Sequence, residues 1–188
     1  MNGSVSLYEL ELGELRVTVE GISPLLCHRF SERGIEQIES KQQGAAKRGK
    51  APRNPAEEML DACYRMADGG YGFPAIAFKK AIVRAAKVAG IAMTDARGAF
   101  QVDGDLLPIR GDGPTLHSAR TVIGKGTTTM SYRGQFTPWE IDLRIVYNER
   151  AITAEQLVNL IELAGFGVGV GDWRPECDGQ FGRFRVKR

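Results

Sequence analysis

Residues 165–186 have the sequence GFGVGVGDWRPECDGQFGRFRV, in which a glycine run is followed by a Trp-Arg pair and a short arginine-containing strand. The glycines stand at every second position, at Gly165, Gly167, Gly169 and Gly171. Glycine allows backbone conformations that other residues avoid and lets a ligand approach the main chain. Dinucleotide-binding and phosphate-binding fingerprints follow a strand and begin a helix, whereas this run follows a helix and leads into a strand. The order argues against a nucleotide cofactor and leaves two interpretations, a plain turn and a binding loop.

The composition indicates a single domain over residues 1–188, of which 43% are hydrophobic. The 25 basic and 23 acidic residues give a net charge of +2, so any electrostatic function depends on where the charges lie. The sequence contains no apolar run of about 18 residues, so we expect no membrane span. The N-terminus is unlike a signal peptide. Three scattered cysteines, Cys27, Cys63 and Cys177, predict a reduced, cytoplasmic location. We expect no metal site and no cofactor.

A basic segment follows the first predicted strand. Leu15, Val17 and Val19 alternate with polar residues, as in a half-buried strand that ends at Pro24. Residues 29–53 then contain few large apolar side chains, and from residue 41 onward they carry five cations and no acid: Lys41, Lys47, Arg48, Lys50 and Arg53. Such a segment buries too little surface to offset its ordering entropy, which predicts a mobile insertion. A solvated linker and a basic arm for a polyanion are both possible, and the uncompensated cations favour the arm.

The remaining elements predict an α+β fold. Asn54 and Pro55 begin a helix that we expect to end at 68–70. Residues 75–90 are predicted to form a second helix with Lys80, Arg84 and Lys87 on one face. A basic helix face of this kind is more typical of solvent exposure than of function. Strands are predicted at 100–110, 116–123 and 139–147, a loop or ribbon tip at 124–134, a helix from the capping box at 153–156, and a strand ending at 186. Without the insertion, the order is βαββαβ, the ferredoxin-like (RRM-like) arrangement.

Two stretches resemble motifs of the RAMP superfamily, the RNA-binding proteins of CRISPR effector complexes. Residues 165–186 resemble its glycine-rich loop, and YGFPAIAFKKAIVRAAK at 71–87 resembles the aromatic–x–Pro motif and lysine-containing helix of the backbone subunits. The chain is shorter than a typical backbone subunit, which suggests a minimal or divergent member, such as a phage-encoded one. The resemblance implies a subunit that repeats head to tail along a guide RNA beside other effector subunits, with residues 29–53 as a thumb over the strand.

We call residues 165–186 the glycine stretch. The residues expected to bind nucleic acid belong to this stretch and to the basic segments: His28, Arg29, Lys47, Arg48, Lys50, Arg53, Lys79, Lys80, Lys125, Arg133, Gly167, Gly169, Trp173, Arg174 and Arg183. The cations would neutralise phosphates, and backbone N–H groups of the glycine loop would approach them. Trp173, Phe181 or Tyr132 would stack on unpaired bases, which favours a single strand of RNA or DNA. Asp172 next to Arg174 predicts an ion pair that orders the glycine loop.

No catalytic residue is expected. Backbone subunits that cleave target RNA carry an aspartate after the first strand, and residues 22–28, ISPLLCH, contain none. His28 resembles in position the histidine of guide-processing RAMP ribonucleases, where it would act as a general acid or base, but the sequence shows no nearby second histidine or tyrosine. Two alternatives remain, a metal-independent ribonuclease that uses His28 and a phage protein that copies this fold to engage a CRISPR complex.

Overall fold

The computed structural model describes residues 9–30, 34–36, 39, 42–43, 53–123 and 126–188. The strands are β1 (Leu12–Gly21), β2 (Leu25–Cys27), β3 (Tyr64–Arg65), β4 (Tyr71–Pro74), β5 (Phe100–Val102), β6 (Leu106–Pro108), β7 (Arg110–Gly111), β8 (Thr115–Ile123), β9 (Thr127–Phe136), β10 (Trp139–Asn148) and β11 (Phe184–Val186). The helices are α1 (Pro55–Asp61), α2 (Ala75–Val88), α3 (Met93–Ala99) and α4 (Ala154–Gly167), followed by a 3-10 turn at Pro175–Cys177.

The main sheet has the strand order β11-β1-β10-β5, with β7 also paired to β10, and every pairing is antiparallel. The chain path through it is β1, α2, β5, β10, α4, β11. On β10, Ile141, Leu143 and Ile145 are buried and alternate with more exposed residues, as the sequence predicted. The predicted mixed α+β architecture is confirmed.

The other face of the main sheet is covered with paired charges. The polar residues of β1 and β10 project from it because they alternate with the buried ones. The ion pairs are Arg16 and Arg144 with Glu14, Arg110 with Asp142 and Glu140, Arg185 with Glu20, and Lys187 with Glu140. We call this surface the outer face. Its cations already have carboxylate partners.

Two smaller antiparallel sheets, β2-β9-β8 and β3-β4-β6, flank the main sheet. They correct two sequence predictions. The first helix ends at Asp61 rather than at 68–70, because Tyr64 pairs with Gly72 across a hairpin whose turn includes Gly69. The predicted loop at 124–134 is mostly strand, because β9 pairs with β8 from Thr127 onward and its threonines suit a strand.

Both long helices follow their sequence signals. Thr153 and Gln156 form the predicted capping box at the start of α4. In α2 the buried side chains include Phe78 and Ile82.

The predicted strand at 100–110 is divided into β5, β6 and β7, because Gly104 has a left-handed φ of 94° that interrupts it. No helix among the described residues is long and apolar enough to cross a membrane.

The contact between α4 and β11 requires a glycine. Gly165 lies in the helix, and a Cβ there would overlap the carbonyl oxygen of Phe184. The Phe184 ring packs edge-on against Phe78 (5.6 Å between centroids) and Trp139 (6.3 Å). The backbone of β11 therefore lies directly against the helix, and this contact fixes where the chain re-enters the sheet.

We expect Gly165→Ala to destabilise the fold by about 1–3 kcal/mol, since the added methyl group must displace β11 backbone. Gly167→Ala is the matched control, because no atom lies within 4 Å of a Cβ at that position; its free energy of unfolding should stay within about 0.5 kcal/mol of the parent. Urea unfolding of both variants measures the difference. Equal effects would contradict the proposed close approach.

Candidate nucleic-acid interface

The glycine stretch is docked onto the segment that follows β1. The Gly182 N–H donates to the Pro24 carbonyl (2.7 Å), and the Asp172 N–H donates to the Leu26 carbonyl (3.0 Å). Gly171 has a left-handed φ of 83°, and a Cβ there would lie 2.5 Å from the Leu26 oxygen. A side chain at this position would separate the two segments, so the glycine is needed for the docking.

The sequence prediction for the glycine run is corrected in two respects. Gly165 and Gly167 belong to α4, and only Gly169 and Gly171 adopt left-handed backbone. The N–H groups of Gly169 and Val170 donate to the Ala164 and Gly182 carbonyls, and that of Asp172 is also used within the protein. These N–H groups serve the fold, so they are not available to a phosphate.

Asp172 joins three parts of the chain. Its Oδ2 accepts a hydrogen bond from Arg133 Nε (2.9 Å) and lies 3.4 Å from His28 Nδ1. The predicted Asp172–Arg174 ion pair is wrong: Arg174 instead binds the Glu176 carboxylate (2.9 Å) and the Gly171 carbonyl (3.2 Å). The left-handed backbone at Trp173 (φ 54°) changes the direction of the chain between Asp172 and Arg174.

The electrostatics of Asp172 follow from these contacts. The hydrogen bond with His28 is the largest cause that lowers the pKa of the Asp172 carboxyl from its usual 3.8 to about 2. Burial opposes this shift, and the Arg133 guanidinium adds to it. The carboxylate is therefore ionised at neutral pH and holds the His28 ring and the Arg133 side chain at one place.

A cleft of about 350 Å³ opens beside this cluster, between α2 and the glycine stretch. Its apolar wall includes Phe73, Pro74, Ile76 and Ala77, and its polar groups are His28, Tyr64, Lys80, Arg84, Asp172 and Arg174. Within the described part of the chain, Lys80 makes no ion pair. Cations, an apolar wall and a histidine thus share one concave surface, on which Arg84 and Arg174 are both paired with Glu176.

Four of the predicted binding residues line this cleft: His28, Lys80, Gly169 and Arg174. Arg133 lies behind it, where it holds Asp172 with a side chain that is 17% exposed. Trp173, which follows Asp172 in sequence, is 43% exposed and does not line the cleft. The fold thus brings these residues together from β2, α2, β9 and the glycine stretch.

Other predicted residues serve the fold or lie elsewhere. Arg53 donates to Glu58, to Thr129 Oγ1 (3.2 Å) and to the Met130 carbonyl (2.8 Å), and so joins α1 to β9. Lys79 bonds to Gln101 and is directed to β5. Three predicted positions remain. The Arg29 backbone N–H donates to the Ala62 carbonyl (2.8 Å), and Gly167 ends α4. The Arg183 guanidinium lies 5.8 Å from the centroid of the exposed Phe166 ring.

The three aromatic residues predicted to stack on bases differ in their contacts and exposure. Phe181 packs edge-on against His117, with 5.3 Å between the ring centroids, and the Arg53 guanidinium lies 5.0 Å from the centroid of the Tyr132 ring. Trp173 is the exposed one of the three. Lys47, Arg48, Lys50 and Lys125 lie outside the described residues, as does most of the 29–53 segment.

Sequence reasoning missed two residues of the cleft. Arg84 was assigned to a solvent-exposed face of α2, but it stands one helical turn after Lys80 and faces the glycine stretch. The i, i+4 spacing of the two cations was the available signal. Tyr64 gave no signal, because it was expected to lie in the first helix and not in the strand β3 that pairs with β4. No cluster of three or more potential metal ligands occurs among the residues described.

No protein-family model and no curated protein matches the chain. Among solved structures, the chain is similar to the crystal structure of Cmr6 from Pyrococcus furiosus. The two are 10% identical with a TM-score of 0.49, and the match covers 94% of this chain and 98% of Cmr6.

The Asp172 cluster predicts a specific dependence of stability on pH. Because the folded pKa lies below the unfolded one, the carboxylate stabilises the fold above about pH 4, and this contribution is lost as the pH falls toward 2. We expect Asp172→Asn to lower the free energy of unfolding at pH 6 by about 1–2 kcal/mol, and the difference from the parent to shrink toward pH 2. Urea unfolding over this pH series measures it.

The matched control is Asp178→Asn, which removes the same charge from an exposed residue without an ion pair in the described structure. This variant should follow the parent at every pH. A loss for Asp172→Asn that is the same at pH 2 as at pH 6 would show that the carboxylate charge does not hold the cluster.

Proposed function

We propose that this protein binds single-stranded nucleic acid, with guide RNA as the ligand, along the cleft between α2 and the glycine stretch, and that it does so without catalysis. The observation that carries the proposal is the contrast between the two cationic surfaces. On the outer face, the cations are paired with carboxylates across β1 and β10. In the cleft, Lys80 makes no ion pair with any residue that the structure describes, and Arg84, one turn later, and Arg174 share the single carboxylate of Glu176.

The side chains beside these cations suit an unpaired strand. Base stacking on aromatic side chains is typical of proteins that bind single strands, because the bases of a duplex are inaccessible. Trp173, next in sequence to Asp172 of the cleft, is exposed, and the apolar wall at Phe73 and Ile76 offers further contact. The outer face carries charged side chains where an RRM-type platform would carry aromatic ones.

The larger assembly is part of the same proposal. We take the core to be ferredoxin-like, from its βαββαβ path and antiparallel strand order. The sequence motifs that resemble the RAMP superfamily support a repeating backbone subunit of a CRISPR ribonucleoprotein, with residues 29–53 over the strand and other effector subunits as partners. Protomers that meet head to tail form an open filament unless another subunit ends it.

The test compares two pairs of neutralising substitutions with equal loss of charge. Lys80→Gln with Arg84→Gln removes two cations from the cleft, and Arg185→Gln with Lys187→Gln removes two from the outer face. Fluorescence anisotropy with labelled single-stranded RNA, single-stranded DNA and duplex is measured at several salt concentrations. We expect the cleft pair to weaken RNA binding about tenfold and to reduce the salt slope by about 0.7 per lost phosphate contact, while the outer pair leaves both nearly unchanged.

Equal effects of the two pairs would show that net charge alone drives binding. If the parent binds single-stranded RNA only as weakly as a generic basic protein, about 100 μM or weaker at physiological salt, the nucleic-acid proposal fails. That outcome would favour the protein that copies this fold to engage a CRISPR complex.

A metal-independent ribonuclease is the second candidate, and one observation favours it. His28 shares the cleft with Tyr64 and Lys80, so the fold supplies the tyrosine that the sequence did not reveal. Burial raises the pKa of the Tyr64 phenol, which keeps it protonated and able to donate. Asp172 next to His28 Nδ1 orients the ring, and such a set can move protons in RNA cleavage.

The binding mixtures themselves decide between the two functions. When RNA, including a repeat-like hairpin, is incubated with the protein in excess chelator, we expect it to remain intact. Products that appear with the parent and disappear with His28→Ala, while binding affinity is retained, would establish the ribonuclease.

A further inference from the structure

The cleft contains an arrangement that the proposed function does not by itself explain. Arg84 on α2 and Arg174 on the glycine stretch both bind a single oxygen of Glu176. Arg84 Nη1 and the Arg174 atoms Nε (3.1 Å) and Nη2 (2.9 Å) all donate to Oε2. We infer that the two arginines form a phosphate-binding subsite that the chain's own carboxylate occupies when no ligand is bound. This inference rests on the proposed function and specifies where one phosphate of the ligand is held.

The donor set suits a phosphate. Guanidinium groups present several N–H donors in a planar fork, and they bind carboxylate and phosphate oxygens in the same way. A carboxylate that accepts three such bonds at one oxygen marks where a phosphate oxygen would lie. Lys80, one turn before Arg84 on the same side of α2, adds a further cation to this side of the cleft.

Glu176 is placed so that a ligand can displace its carboxylate from the two arginines. It stands in the short 3-10 turn Pro175–Cys177, which Asp178 ends with a left-handed φ of 59°. The Glu176 side chain is 29% exposed, and those of Arg84 and Arg174 are 44% and 28% exposed. Ion pairs at such exposure are modest, so a ligand phosphate can displace the carboxylate, and the displacement lowers the affinity of that phosphate. A phosphate carries more negative charge than a carboxylate and offers more acceptor oxygens.

The rest of the cleft defines the ligand class as a nucleotide rather than a bare anion. Its volume of about 350 Å³ is suited to one nucleotide. Ile76 and Ala77, about two turns before Arg84, belong to its apolar wall. A base or ribose against this wall leaves its phosphate directed at Arg84 and Arg174. Glu176 then sets the affinity, because each phosphate that enters must displace it.

The test uses Glu176→Gln, which keeps the shape of the side chain and removes its charge. Adenosine 5′-monophosphate and inorganic phosphate are the probes, and calorimetric titration measures their dissociation constants at low salt. We expect Glu176→Gln to bind the nucleotide about 5- to 10-fold more tightly than the parent, since the competing ion pairs are lost. Glu176→Ala should bind it more tightly as well.

Asp178→Asn is the matched control, because it removes one negative charge two residues away without touching either arginine. It should change the affinity less than twofold. The inference is overturned if Glu176→Gln binds the nucleotide no more tightly than the parent, if neither protein binds it, or if Asp178→Asn gives the same gain. Tightening for inorganic phosphate without any added affinity for the nucleotide would overturn the nucleotide assignment.

Single-stranded RNA binding separates this inference from the proposed function. If the parent binds RNA and Glu176→Gln does not change that affinity, the subsite fails and the proposed function stands. If the parent does not bind RNA but Glu176→Gln binds the nucleotide more tightly, the proposed function fails and the subsite stands.

Discussion

The docking of the glycine stretch onto the segment after β1 is the constraint on which the site depends. Two backbone hydrogen bonds, from Gly182 to Pro24 and from Asp172 to Leu26, hold the segments together. They form because Gly171 leaves no side chain between the two backbones; a Cβ there would lie 2.5 Å from the Leu26 carbonyl oxygen. This contact brings Asp172 next to His28, which is distant in sequence. The cleft exists because the chain returns to this point after α4.

The distribution of charge then follows from the sheet. Alternation along β1 and β10 places one set of side chains in the core and the other set on the outer face, where cross-strand ion pairs neutralise it. Among the residues that the structure describes, the cations that line the cleft are Lys80 and Arg84 of α2 and Arg174 of the glycine stretch. A net charge of +2 hides this asymmetry. Arg84 and Arg174 share the Glu176 carboxylate within the chain, so a ligand phosphate must compete with that carboxylate for the two arginines.

Elements with strong local signals could be predicted from the sequence. The alternation in β10 and the capping box at Thr153 are recorded in neighbouring residues, and both are present in the structure. Errors occurred where long-range pairing decides the local structure. Gly165 was assigned to a loop although it is helical, because only its contact with β11 explains a glycine there. The first helix was predicted to continue to 68–70, but after α1 the pairing of Tyr64 with Gly72 of β4 forms a strand instead.

The site was predictable in its residue types more than in its geometry. His28, Lys80 and Arg174 could be chosen as basic residues near the two motifs, and they share the cleft. Arg53 and Arg133 have the same sequence character, yet both hold the fold together through Glu58 and Asp172. No sequence pattern separates a cation bound to a carboxylate from one that is free, since the carboxylate arrives from a distant part of the chain.

Photocrosslinking tests the central claim most directly, because it locates the nucleic acid on the protein. Single-stranded RNA that carries 4-thiouridine at successive positions is crosslinked to the parent protein, and the modified peptides are identified by mass spectrometry. The account predicts crosslinks around Trp173, His28 and the Lys80–Arg84 turn of α2. Crosslinks concentrated on the outer-face residues of β1 and β10 would contradict it.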